Sequence, residues 1–283
     1  MAKRARTIYV PVDKVICAPC LHPTKGLPAI VANYFAHTIM DPPYSEWVHE
    51  KKMSASTKGG TVRGSPGPAP VTFPPLTLDE ISRVAAEVVR TTRGWAVIFC
   101  ADDDIRAWRD ALAAAGARRG VTCIWTKPNG APKFHGDGPA QPCEHMVTAW
   151  CGDGRSVWNG GGKMGHYVCS RVTGNYRHET QKPVRLMKNL ILDFTKPGDL
   201  IADLYGGGGT TAVAAKQCGR RYVLWEVDSK HTKASRRWIA GTSEQLDMER
   251  AYHRARAGAF DAGATKPPKV TQSELALDAP EPT

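Results

Sequence analysis

Hydrophobic positions along the chain follow two rhythms in turn. A short continuous apolar run occurs at WAVIFC (95–100), and short, mainly apolar stretches at VTCIWT (121–126), MVTAW (146–150), Leu200 to Leu204 and Tyr222 to Trp225. Such runs predict strands buried on both faces. Between them, apolar residues recur every three or four positions. Ile81, Val84, Ala85, Val88 and Val89 predict a helix that opens on the capping box Thr77-x-x-Glu80 and closes by Gly94. Ile105, Trp108 and Leu112 place a second helix over 103–115, with Gly116 as its stop. Val184, Met187, Leu190, Ile191 and Phe194 give a third over 181–194. Two threonines after Gly206–Gly209 open a fourth that runs through Ala215, and a charged helix is expected within 229–256. Strands alternating with helices predict an α/β fold: a doubly wound, mainly parallel sheet.

Three segments carry neither rhythm. Residues 45–76 are rich in Gly, Ser, Pro and Lys and read as a long mobile loop. Residues 134–178 are Gly-rich, basic and aromatic, and read as an inserted surface segment around the strand at 146–150. Residues 256–283 are Pro-rich and polar, a composition that predicts a disordered tail. The expected organisation is one domain over 1–255 and that tail.

Composition narrows the partners. Lys and Arg number 38 against 27 Asp and Glu, a net charge of +11. That excess favours a polyanion, nucleic acid first. No run of about 18 apolar residues suggests a membrane span, and the basic start lacks an apolar signal core, so a cytoplasmic protein is expected. Cys17-Ala-Pro-Cys20, followed by His22, has the form of half a zinc site. The other candidate ligands, Cys143, His145 and Cys151, fit no zinc spacing, so free thiols and no metal are expected.

Two stretches carry chemistry. In IMDPPYSEW (39–47) an apolar run ends in Asp41-Pro42-Pro43-Tyr44. Proline cannot continue a sheet ladder, so the pair makes a stiff strand end that holds a carboxylate, carbonyls and a ring in fixed relation. This is either a plain turn or a clamp for a flat, hydrogen-bonding substrate. In LIADLYGGGGTTAVAAKQCGRRYVLWEVD, a strand runs through Asp203 into four glycines, a helix follows, and the next strand ends in Glu226. Glycines let the backbone approach a ligand, and an acid after the second strand can accept ribose hydroxyls. No Lys-Ser/Thr follows the glycines, so a phosphate-binding loop is disfavoured and a nucleoside ligand without phosphate fits better.

Taken together, these stretches resemble the amino-methylating DNA methyltransferases of the β group. DPPY matches the family's catalytic motif, and DLYGGGGTT its cofactor motif D-P-F-x-G-S-G-T-T. HETQKPVRLM (178–187) resembles its H-P-T-Q-K-P segment, and IWTKPNGAPKF with EHMVTAW its W-x-K and H-E strand region. Leu204, Gly208 and Glu179 depart from the usual Pro, Ser and Pro. The resemblance implies a Rossmann-like S-adenosylmethionine-dependent methyltransferase fold and methyl transfer to the N6 amine of adenine in DNA. Cytosine N4, or a non-catalytic DNA-binding subunit, are the alternatives. It implies catalytic Asp41, Pro42, Pro43 and Tyr44. It puts Asp203, Tyr205, Gly207, Gly209 and Thr210 at the cofactor, with Glu226 on its ribose and Lys182 and Pro183 closing over it. Thr210 has a second reading as a helix cap. Lys52, Lys58, Arg63, Lys163, Arg171 and Arg177 would contact DNA phosphates, and the short 134–178 segment would read the target. A homodimer and a cognate endonuclease stay open.

Overall fold

The computed structural model describes residues 9–46, 74–130, 138–172 and 181–243. Within them a single sheet holds nine strands: β1 (Lys14–Cys17), β2 (His37–Met40), β3 (Trp95–Cys100), β4 (Arg118–Arg119), β5 (Cys123–Thr126), β6 (Cys143–Trp150), β7 (His166–Val168), β8 (Leu200–Asp203) and β9 (Arg221–Glu226). Helices are α1 (Leu78–Thr91), α2 (Ile105–Ala114), α3 (Val184–Phe194) and α4 (Thr210–Gln217). Residues 229–239 are also helical. Across the sheet the order is β1-β9-β8-β2-β3-β6-β5-β7, with β4 beside β6. β1, β9, β8, β2 and β3 are parallel, while β6 runs against β3 and β5.

This order locates a crevice. From β2 the chain crosses through α1 to β3 on one side. From β8 it crosses through α4 to β9 on the other. β2 and β8 are neighbours, so the two windings diverge between them. The space beyond the carboxyl ends of two such strands is where an open α/β sheet receives ligands. Those ends are Asp41 and Asp203.

Alternation of side chains across the strands makes two cores. Ile39, Val97, Phe99, Ile201 and Leu224 pack on the face that carries α3 and α4. Met40, Ala96, Ile98, Ala202, Val223 and Trp225 pack on the face that carries α1 and α2. With both faces covered, the central strands need few polar positions, which is why β3 reads as an unbroken apolar run.

Several expectations are refined. The capping box is present: Glu80 N–H donates to Thr77 Oγ1 at 3.1 Å, and Thr77 N–H to Glu80 Oε2 at 3.0 Å. Helix α1 ends at Thr91, before Gly94. Gly94 answers a packing demand instead, because a Cβ there would lie 2.4 Å from the Ala36 carbonyl oxygen. Helix α3 starts at Val184, not 181, with Pro183 as its cap. The 134–178 segment is not simply a surface insertion: it supplies the whole of β6 and β7 to the sheet, with Tyr167 buried. Strands β4 and β7, of two and three residues, are too short to display a period. The 45–76 loop is pinned at its base, where Leu76 N–H donates to Tyr44 O at 3.1 Å and Glu46 N–H to Leu76 O at 3.3 Å; residues 47–73 lie outside the described residues, as does the 256–283 tail. The chain divides into compact units Met1–Ile239 and Ala240–Thr283. Among the described residues no helix is long and apolar enough to cross a membrane, and no cluster of His, Cys, Asp or Glu could hold a metal ion.

Candidate active site

One lip of the crevice is the turn after β8. Asp203 is 3% exposed. Its Oδ1 accepts the Tyr205 N–H at 3.0 Å and its Oδ2 the Thr211 hydroxyl at 2.6 Å. Burial pushes the Asp203 carboxyl up to about 7; those two bonds oppose the rise, and the Asp41 and Glu226 carboxylates add to it. Gly206 N–H donates to Trp225 O at 2.7 Å, tying the turn to β9. Gly207 (φ 47°) and Gly209 (φ 89°) occupy the left-handed region that disfavours any side chain. A Cβ on Gly209 would also sit 2.8 Å from Ser235 Cβ. Glu226 is aimed by backbone: Gly207 N–H donates to its Oε2 and Asp228 N–H to its Oε1, both at 2.8 Å. Each oxygen keeps a lone pair for a ligand hydroxyl. Gly209, rather than Thr210, caps α4, and Thr210 is buried as its first residue. Tyr205 packs beside the α1 face, where its buried hydroxyl meets the Cys20 thiol.

The other lip follows β2. Asp41 Oδ2 accepts from the Lys182 ammonium at 2.5 Å. Lys182 also lies 3.3 Å from Glu144 Oε2, and Lys127 donates to Glu144 Oε1 at 3.2 Å. The Lys182 ammonium stands 4.9 Å from the Phe99 ring centroid, a cation–π contact. Burial alone would lower the Lys182 ammonium, but the Asp41 and Glu144 carboxylates outweigh it and hold it above its ordinary value. Burial likewise works to raise Glu144, yet Lys182 and Lys127 keep it below the usual carboxylate range. Tyr44 is raised by burial, with Lys182 opposing and Glu144 and Asp41 adding, so its hydroxyl stays neutral. Next in the chain, Ser45 is clamped: its N–H and hydroxyl reach the two oxygens of Asp104 at 3.1 and 2.5 Å. Asp104 is itself 4% exposed, at the start of α2.

Strand parity explains the convergence. Asp41 continues the alternation of Ile39, and Glu144 that of Met146, so both face the α3 side. Lys182 precedes α3 on that side. The resemblance puts Lys182 in the segment closing over the cofactor; in the structure its ammonium bonds Asp41. Pro183 is buried beside it and its carbonyl accepts Met187 N–H at 3.2 Å.

The proposed phosphate contacts divide. Lys163 donates to Asp193 Oδ2 at 2.6 Å and stands over the Tyr167 ring at 5.0 Å, so it joins β7 to α3. Arg171 is tied to the turn after β5: its N–H donates to Asn129 Oδ1 at 2.7 Å and its guanidinium to Asn129 O at 3.0 Å. Lys52, Lys58, Arg63 and Arg177 lie outside the described residues. Sequence reading missed Lys127, Glu144 and Asp104. The first two stand inside the W-x-K and E-H stretches, but nothing in either stretch says that Trp125 pairs with Glu144 and so brings the two charges together.

The family described as DNA methylase matches residues 156–237. The type II methyltransferase M.HinfI of Haemophilus influenzae is 31% identical over 130 residues, 38% of this chain and 35% of that protein. Matches to this and other curated relatives reach only 19–35% of their lengths. In fold, the chain is similar to the crystal structure of the M1.HpyAVI–SAM complex, at a TM-score of 0.59 and 20% identity, covering 80% of this chain and 98% of that one. It is equally similar to PvuII DNA methyltransferase (cytosine-N4-specific), at 0.59 and 12% identity, covering 83% and 96%. The fold is the Rossmann-like one of the DNA methyltransferases.

Proposed function

We propose that this chain, which resembles the N6/N4 DNA methylases, transfers a methyl group from S-adenosylmethionine to the exocyclic N6 amine of adenine in DNA. One observation carries the reading: the Asp-Pro-Pro-Tyr turn and the glycine turn, far apart in sequence, flank one switch point at the ends of paired strands β2 and β8. A catalytic turn and a nucleoside turn are thereby set side by side.

The glycine lip fits the cofactor. Glu226 would take the ribose hydroxyls, and the backbone of 206–209 would lie against the nucleoside. The carboxylates of Asp41 and Glu226 make a setting that disfavours a polyphosphate. When bound, S-adenosylmethionine supplies a methyl group on positively charged sulfur.

The Asp41 lip fits the base. An exocyclic amine is a poor nucleophile because its lone pair is delocalised into the ring, and it lies inside the duplex, so the base is flipped out. Asp41 accepts one amine hydrogen and the Pro42 carbonyl the other, which frees the lone pair for attack. Tyr44 stacks on the ring. The two prolines fix these acceptors beforehand, so little reorganisation accompanies the transition state. In-line transfer then depends on positioning rather than on acid–base power. The net charge of +11 suits the DNA backbone. A DNA substrate assigns the protein to the cytoplasm of a bacterium or an infected host.

Asp41 before the prolines favours adenine, since the cytosine enzymes of the resembled family tend to carry Ser there. The likeness to a cytosine-N4-specific enzyme keeps cytosine as the second reading. The test is transfer from labelled S-adenosylmethionine to unmethylated DNA, with digestion to nucleosides and mass analysis. N6-methyladenine is expected. N4-methylcytosine would replace the base, and cofactor binding without product would turn the reading to a non-catalytic DNA-binding subunit.

A further inference from the structure

The proposed reaction needs Asp41 to receive an amine hydrogen, yet its Oδ2 already receives the Lys182 ammonium at 2.5 Å. For the amine to take that oxygen the ammonium must leave it, and a neutral amine, the weaker donor, cannot drive the ammonium off unless the cation has another anion to go to. Glu144 is that anion. Its Oε2 is buried and lies 3.3 Å from the Lys182 nitrogen, a looser ion pair than the 2.5 Å bond to Asp41. The other oxygen, Oε1, is held by Lys127, so the carboxylate is braced on one side and open on the other.

Resting on the methyltransferase reading, we infer that Lys182 is a two-position ammonium and Glu144 its second dock, a positioning residue for the target base. With the pocket empty, Lys182 bonds Asp41. When a base amine reaches Asp41, the ammonium swings to Glu144 Oε2. The exchange breaks no covalent bond and moves no proton. Both carboxylates keep a donor throughout, so neither is stranded as a buried, unpaired charge. Phe99 lies under the ammonium and gives it an apolar, cation-tolerant floor during the swing. The arrangement also gives the catalytic turn a defined shape before DNA arrives.

A double-mutant cycle tests this, using Glu144→Gln, Lys182→Met and the pair in the full chain. Methyl transfer to DNA and S-adenosylmethionine affinity are measured for each. Glu144→Gln keeps the shape but leaves Lys182 with only Asp41 as an anion. Its kcat should fall about 100-fold, the cost of a misplacement of about 1 Å, while cofactor affinity stays near wild type. In the Lys182→Met background the same substitution should cost little, because the ammonium it was meant to receive is gone. Three results overturn the inference: Glu144→Gln as active as wild type, a loss that persists undiminished beside Lys182→Met, or a parallel loss of cofactor affinity that marks Glu144 as merely structural. A wild type that binds cofactor but methylates no DNA would overturn the functional reading and this inference with it; an active wild type with an insensitive Glu144 would overturn this inference alone.

Discussion

The turn after β8 is held by bonds that begin and end between Asp203 and Asp228, almost all of them involving backbone. The turn after β2 is held by charges gathered from four separate segments: Asp41, Lys127, Glu144 and Lys182. Both turns end neighbouring parallel strands, and both present a carboxylate to the same crevice. One lip is therefore a property of a local βαβ unit and the other a property of the whole sheet. The glycine lip is built by conformation, which needs left-handed φ values and no side chain. The Asp41 lip is built by electrostatics, whose strength depends on burial and on every partner being present. Substitutions on the two lips should accordingly fail in different ways.

The largest difference is expected from Asp41→Ala. Removing one preorganised acceptor typically lowers turnover by about 100- to 1,000-fold. The bonds that shape the glycine turn run between Asp203 and Asp228, so cofactor binding should persist near wild-type strength. Product analysis beside calorimetric titration with S-adenosylmethionine separates the two. A parallel loss of cofactor affinity would mean that the two lips act as one unit.

The same contrast explains what the sequence made legible. Gly207, Gly209 and Glu226 fall within one stretch of chain, so their spacing alone makes a nucleoside-binding turn a candidate. The continuous runs at 95–100 and 222–225 announce buried strands because both faces of the sheet are covered. Asp41 is legible only as a strand end with a stiff exit. Its partners are not, because the pairing of Trp125 with Glu144, and the entry of α3 beside β2, are tertiary facts. Lys182 shows the same limit: the motif around it does not reveal its bond to Asp41. Asp104 is hidden more deeply still. In the sequence it is one of three consecutive acids at the start of a helix, and only the structure singles it out as the anchor of Ser45.

A subtler difference lies in pH. Asp203 has its carboxyl raised from 3.8 to about 7 by burial. The folded chain therefore holds this proton more tightly than the unfolded chain does. Its contribution to stability is full below about pH 4 and is lost as pH rises through about 7. Asp203→Asn keeps both bonds, accepting from Tyr205 N–H and donating to the Thr211 hydroxyl, but has no proton to lose. Relative to this variant, the wild type should lose about 1–4 kcal/mol between pH 5 and pH 8.5. Urea unfolding at both pH values measures it. The opposite slope would mean that Asp203 is stabilised as an anion and that the glycine lip is electrostatic after all.

The smallest effect is expected where the Asp41 lip meets the rest of the fold. Ser45 gives Asp104 both a backbone and a hydroxyl bond, and Tyr44 and Glu46 pair with Leu76 on either side of it. Ser45→Ala removes the hydroxyl and leaves a buried carboxylate oxygen short of a donor. That should cost about 1–3 kcal/mol of stability. The backbone bonds remain, so the turn is loosened rather than released, and Asp41 and Tyr44 keep their places in the chain but hold them less firmly. Because the reaction depends on positioning, kcat should fall by more than the change in cofactor affinity. Ser45→Thr, which restores the hydroxyl at the expense of an added methyl, should recover part of the turnover if the bond to Asp104 is what matters. Equal losses in both variants would instead point to packing around Ser45, and would take Asp104 out of the support of the catalytic turn.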